Sequence, residues 1–381
     1  MDVPFRIGEQ VSGEFFTDRA VEVRRILQAM RSPTRLLVHG ERRQGKSSAM
    51  RQAQARATAG GAVVAWVDVA TIAGFGELAD RLLPSIPWGW RLRERLQELL
   101  LSAHLRVEMR ADAQGQPVLG VVPGRGAADA AEQKERFRSV VRALDRIASE
   151  EEVTVAVVLD EFQEVDRVLE RGAWVLRDLM QTTSRLSWIC AGSRVSLIET
   201  LIARDGPFHR FFEMLSFGAM EEAHLARWIE ARMEGAGVRV DAGLGERIVA
   251  VAGPRTQDCL QLARMVFLGA AVEGRAGGGL VDDAFRTAVL EDADRFATHW
   301  DGLADSHRRV LRAVAAGETQ LTGQEARERW GLPSSSGTTK AIRVLREGGF
   351  LDASTPARID DPFFRGWVLL RAMPDGVPRG L

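Results

Sequence analysis

Between Gly40 and Ser47 the sequence reads GERRQGKS, a loop bounded by glycines and closed by a lysine and a hydroxyl residue. This G-x-x-x-x-G-K-[ST] spacing suits phosphate: glycine lets successive backbone N–H groups curl round an anion, and a helix N-terminus adds its dipole. The flanks fit, with the apolar RLLVHG before the loop and the helix-forming SSAMRQAQARA after it. Gly40, Glu41, Arg42, Arg43, Gln44, Gly45, Lys46, Ser47 and Ser48 are therefore predicted to cradle the phosphates of ATP. Lys46 would reach the β and γ phosphates, and Ser47 would offer its hydroxyl to Mg²⁺, a cation that prefers oxygen. Lysine occurs only at Lys46, Lys134 and Lys340. A chance match is then expected on the order of 0.003 times per chain.

A second set of chemical groups stands at the end of VVLDEFQEV. An apolar run that ends in Asp160 and Glu161 has the Walker B arrangement, in which the two carboxylates divide the work. Asp160 would hold the Mg²⁺ shell, and Glu161 would orient and deprotonate the attacking water. In ICAGSR, Ser193 is expected beside Asp160 if the two strands are neighbours, where its hydroxyl would sense the γ phosphate or the water. Arg194 and Arg210 are candidates for stabilising transition-state charge, within one subunit or across an interface.

Elements that could position these residues follow from periodicity. The runs at 35–40, 62–70, 153–160 and 186–192 are apolar and β-branched, as buried parallel strands are. Amphipathic segments such as AVEVRRILQAM, KERFRSVVRALDRIA and AWVLRDLMQTT separate them, which predicts a layered α/β domain. LRVEMRADAQGQPVLGVVP, near residues 105–123, reads as an inserted hairpin whose role the sequence does not disclose. From about Met220 the pattern turns helical and suggests a small lid, with the Gly-rich EGRAGGGL as a turn or linker.

Near the C-terminus, three helices around SHRRVLRAVAAG, TGQEARERWG and SSGTTKAIRVLREGG precede a short hairpin, the order of a winged helix. The third would be the recognition helix, capped by one of Ser334 to Ser336 and bearing Lys340, Arg343 and Arg346. From residue 301 onward, 12 Lys and Arg stand against 10 Asp and Glu, a surplus of 2, which is thin for phosphate binding. Double-stranded DNA and a protein partner both stay open.

At 381 residues the chain is expected to form two or three domains. Its net charge of −1 carries no polycationic signature, so any basic face must be local. The two cysteines, Cys190 and Cys259, lack zinc spacing, and no histidine pair suggests a metal beyond Mg²⁺. The start MDVPFRIGEQ has no basic stretch followed by an apolar one, so a soluble cytoplasmic protein is expected.

The order of these motifs resembles the AAA+ superfamily of P-loop ATPases, in its archaeal-type branch close to the STAND switch ATPases. PFRIGEQVSGEFFTDRAVEV, GERRQGKSS, VVLDEFQEV, CAGSRVSLIETL with GPFHRFF, and DDPFFRGWV carry the resemblance across nearly the whole chain. It implies a P-loop parallel-sheet core over 1–218, a helical lid over 219–300 and a winged-helix domain over 301–381. It also implies that Phe5 and the FFTDR stretch with Asp18 and Arg19 form the wall on the base side of the nucleotide. Thr17 or Asp18 would cap the following helix. AGPRT departs from the family's G-x-P spacing, with Arg255 as its candidate phosphate sensor. Asp360 to Phe364 resembles the family's terminal motif, whose aromatics would pack the wing.

The expected protein is thus an ATPase with ATP and Mg²⁺ as its cofactors, coupling nucleotide state to movement of a lid and a winged helix. Homo-oligomers are compatible with this. A nucleotide-gated switch or scaffold that recruits a protein without DNA is the alternative. A small-molecule kinase is disfavoured, since Glu161 suits water activation and no acceptor site is evident.

Overall fold

The computed structural model describes residues 2–7, 15–83, 90–102, 105–111, 117–122, 129–193, 195–253, 255–352 and 354–373. The chain packs as two units, one of residues 9–219 and the other of residues 1–8 together with 220–381. No helix among the described residues is long and apolar enough to cross a membrane.

The first unit opens with α1 (Ala20–Met30), β1 (Arg35–His39), α2 (Lys46–Ala59) and β2 (Val63–Asp68). α3 (Phe75–Leu82), α4 (Trp90–Ser102), the hairpin β3 (Arg106–Ala111) and β4 (Pro117–Val122), and α5 (Ala130–Glu150) follow. The unit closes with β5 (Val155–Asp160), α6 (Val165–Val168), α7 (Gly172–Thr182), β6 (Leu186–Gly192), α8 (Val195–Ile202) and β7 (Glu213–Ser216). Five strands form one parallel sheet in the order β2-β5-β6-β1-β7, while β3 and β4 pair antiparallel to each other.

Alternation along the strands assigns each face of the sheet its own core. On β5, Ala156 and Val158 pack with Val23 and Ile26 of α1 and Ala49, Met50 and Ala53 of α2. Val155, Val157 and Leu159 face the other way, into Phe137, Val140 and Leu144 of α5 and Leu176 of α7. Strands buried on both sides have no polar face, which is why these runs are almost wholly apolar. α5 buries its 3.6-residue stripe, Phe137, Val140, Val141, Leu144, Ile147 and Ala148, in this core and begins where Asp129 accepts the Glu132 N–H at 2.7 Å. α1 differs from expectation. Its N-cap is Arg19 without a side-chain cap, because Asp18 and Arg19 both adopt left-handed backbone (φ 53° and 63°).

The second unit is helical: α9 (Glu222–Gly235), α10 (Leu244–Ala252), α11 (Thr256–Glu273), α12 (Gly278–Glu291) and α13 (Ala293–Asp301). Two-residue strands, β8 (Arg239–Val240) and β9 (Arg275–Ala276), pair in parallel. α14 (Asp305–Ala315), α15 (Gln324–Trp330) and α16 (Ser335–Glu347) follow, then an antiparallel bridge Leu351–Ile359 and α17 (Pro362–Trp367). Residues before and after 301 share one core, in which Phe285 stacks on Phe363 and Phe296 meets Phe364 and Trp367. The aromatics of DDPFFRGW therefore pack internally.

Candidate active site

β1 delivers the chain to the phosphate loop at His39, whose carbonyl accepts the Phe217 N–H at 2.7 Å. Gly40 is needed there for space: a Cβ would lie 2.2 Å from the Phe217 carbonyl oxygen. Gly45 is needed for conformation instead. It caps α2 at φ 82° with open space around it, a backbone that side-chain-bearing residues adopt at a cost. The loop thus ends against the free N–H groups of a 14-residue helix.

Lys46, the first residue of α2, is 8% exposed. Its ammonium donates to the carbonyls of Gly40 at 2.8 Å and Glu41 at 2.5 Å. Burial lowers its pKa to about 8, against the pull of Glu161 and Asp160 in the opposite direction. Ser47 donates its hydroxyl to Asp160 Oδ2 at 3.3 Å, which joins the loop to the end of β5. Ser48 lies half-buried in the same first turn.

Burial raises the Asp160 pKa to about 6, with the Glu161 and Asp68 charges adding to the effect and hydrogen bonds from Glu161 N–H and Ser47 opposing it. A buried carboxylate that neighbours disfavour as an anion, next to a hydroxyl, is a donor pair suited to a hard cation. Among the described residues no group of three His, Cys, Asp or Glu could hold a metal alone. Mg²⁺ fits this, since it is normally held by one or two protein oxygens plus phosphate and water. Asp68 is registered opposite Asp160 across β2 and β5 and was not foreseen. Beneath it, Arg51 of α2 stacks on Trp66 at 3.7 Å from the ring centre.

Glu161 takes left-handed backbone (φ 49°), which turns its carboxylate off the line of β5. Ser193, expected beside Asp160, instead donates its hydroxyl to Glu161, 2.9 Å from Oε2 and 3.3 Å from Oε1. The reason is the kink at 161, which carries the second carboxylate to the end of β6. Arg42 Nε donates to the same Ser193 oxygen at 3.3 Å. Gln163, missed in the sequence although it stands in DEFQ, donates Nε2 to Glu161 Oε2 and accepts the Ser193 N–H at 3.2 Å.

The other expected residues have contacts of their own. The Arg19 guanidinium is buried and occupied by the carbonyls of Gly218 (2.7 Å) and Gln44 (3.4 Å), by Glu22 and by the Phe217 ring. It braces the loop from behind. Asp18 is exposed, and Arg43 has left-handed backbone at φ 66°. Arg210 is exposed at φ 49° on the turn leading to β7, and Arg194 lies outside the described residues.

In the second unit, Phe5 is 1% exposed against the edge of Trp228, and Arg264 donates to its carbonyl at 3.1 Å. Arg255 is 5% exposed, paired with the Asp360 carboxylate and donating to the Asp360 carbonyl at 2.5 Å. Ser334 caps α16, on which Lys340 and Arg343 are exposed. Arg346 is turned to the segment after α16, donating to the carbonyls of Asp352 (3.0 Å) and Ser354 (2.6 Å).

The strand order, the loop between β1 and α2 and the carboxylates ending β5 make this the fold of the P-loop AAA+ ATPases. Among solved structures it is similar to a Walker-type ATPase of Pyrococcus abyssi, at 16% identity over 93% of this chain and 96% of that one, with a TM-score of 0.60. The ORC2 protein of Aeropyrum pernix, solved as ADPNP–ADP complexes, matches at 16% identity, 91% of each chain and TM-score 0.55. The ORC1 protein of the same organism, in complex with DNA, matches at 17%, 94% of each chain and 0.50. At these identities the likeness is one of fold. No protein-family model matches the sequence, and no curated protein matches it significantly.

Proposed function

We propose that this chain binds ATP with Mg²⁺ and hydrolyses it to ADP and phosphate. The observation that carries this is the Ser47–Asp160 contact, with Lys46 and Glu161 on either side of it. Lys46 would exchange its loop carbonyls for β and γ phosphate oxygens, while the loop and α2 N–H groups bind the remainder. Ser47 and Asp160 would hold Mg²⁺, which supplies neutralisation of phosphate charge. Glu161 then takes a proton from water as the water oxygen bonds to the γ phosphorus and the bond to the bridging oxygen breaks. Arg210, exposed on its turn, is suited to stabilise that charge from a second copy of the chain. The decisive test is ATP binding and turnover in Lys46→Ala and Glu161→Gln. Loss of binding in the first and retained binding without turnover in the second support the roles, and equal loss of binding in both refutes them.

The output we infer is a nucleotide-dependent movement of the lid over 219–300 and the winged helix over 301–381, driven by the 1–218 core and acting on double-stranded DNA. Lys340 and Arg343, exposed along α16, support contact with phosphates. Arg346 supports the wing rather than the interface. In this reading the ATPase is cytoplasmic, in keeping with two buried free cysteines. Hydrolysis stimulated by duplex DNA, with binding that weakens steeply in salt, supports DNA as the partner. Indifference to DNA, together with nucleotide-dependent capture of a protein, would favour a switch or scaffold.

A further inference from the structure

Glu161 owes its orientation to a ring of hydrogen bonds in which Gln163 is the least expected member. Gln163 sits in the short turn Phe162–Glu164 after β5 and is 7% exposed. Its amide ends are told apart by their partners. The Ser193 N–H can only donate, so Gln163 Oε1 faces it at 3.2 Å and Nε2 is left to donate to Glu161 Oε2. The Ser193 hydroxyl is oriented in the same way. Arg42 Nε donates to its oxygen at 3.3 Å, so the hydroxyl proton is directed to Glu161. Both donors converge on Oε2, and among the described residues Oε1 keeps only the 3.3 Å contact. Gly192 makes room for the arrangement, since a Cβ there would lie 2.7 Å from Gln163 Oε1.

We propose that Gln163 is a positioning residue for hydrolysis: together with Ser193 it pins Oε2 of Glu161 and reserves Oε1 for the water proton. This rests on Glu161 being the base of the ATPase. In the step, the water oxygen bonds to the γ phosphorus and its proton passes to Oε1. The bond from that phosphorus to the β–γ bridging oxygen breaks, and its electron pair leaves with ADP. Arg42 belongs to the phosphate loop, so the ring also ties the cradle to the base.

The test uses the full chain with Mg²⁺ and ATP, measuring kcat, KM and binding of a fluorescent ATP analogue. Gln163→Leu is expected to lower kcat roughly 10- to 100-fold while KM and analogue affinity stay within about twofold. Gln163→Glu, nearly the same size, keeps the Ser193 N–H satisfied but sets a carboxylate against Glu161, and is expected to lower kcat at least as far. In a Glu161→Gln background, Gln163→Leu should add nothing, as expected of two residues that act as one unit. A merely structural glutamine would instead add its full loss there and shift affinity with kcat, which would overturn the proposal. So would near-normal kcat in both Gln163 variants of an enzyme that Glu161→Gln stops. If the unaltered protein does not turn over ATP, or Glu161→Gln leaves turnover intact, the ATPase reading itself falls and the positioning role falls with it.

Discussion

The phosphate loop and the outer face of α16 both present cations, and they do so in opposite ways. Lys46 is 8% exposed, fixed at a helix start, and bonded to two carbonyls of its own loop. Lys340 and Arg343 stand exposed on α16, where among the described residues their only ion pair is the 3.9 Å one from Arg343 to Glu347. A buried ammonium is oriented before its ligand arrives, so removing it removes the site. An exposed one acts by charge and is screened, so each contributes a small, salt-dependent share.

This contrast can be broken by graded substitutions. Lys46→Ala should have the largest effect, weakening ATP binding on the order of 100-fold or more by fluorescence titration. Retained binding would mean that the buried cation is dispensable. Glu161→Gln should keep affinity within a few-fold yet reduce turnover roughly 10²- to 10⁴-fold, read as released phosphate. Gly40→Ala tests the backbone share of the site. Its methyl would collide with the Phe217 carbonyl, so a loss of about 1–3 kcal/mol should appear as a lower Tm along with weaker binding. Smallest should be Lys340→Ala and Arg343→Ala, each reducing duplex DNA affinity a few-fold and the salt slope by about 1. Arg346→Ala should differ from both, lowering thermal stability with little change in that slope, because its guanidinium is bonded to the Asp352 and Ser354 carbonyls.

The candidate-site segments were legible because they are local. GERRQGKS and VVLDE each span eight residues or fewer, and the short β-branched apolar runs around them read as buried strands. What stayed hidden depends on pairings across long separations or on backbone sign. β7 has four residues, three of them exposed, at an edge of the sheet, so EMLS gave no periodic signal. The Ser193 hydroxyl bonds Glu161, whose left-handed backbone its identity does not announce. The Arg19 guanidinium makes its shortest hydrogen bond to Gly218, 199 positions away, which no local pattern suggests. Arg255 meets Asp360 across 105 positions, a pairing that a spacing rule could not suggest.

The stack of Arg51 on Trp66 has a practical consequence. The protein contains nine tryptophans and no tyrosine, so its intrinsic emission comes from indole alone. Trp66 lies two residues before Asp68, under a guanidinium that feels the Asp160 charge. Charge arriving at that carboxylate would alter the field on the ring, which makes Trp66 a native optical reporter at the edge of the site. Comparing emission with Trp66→Phe would isolate its share from the other eight, without attaching a dye.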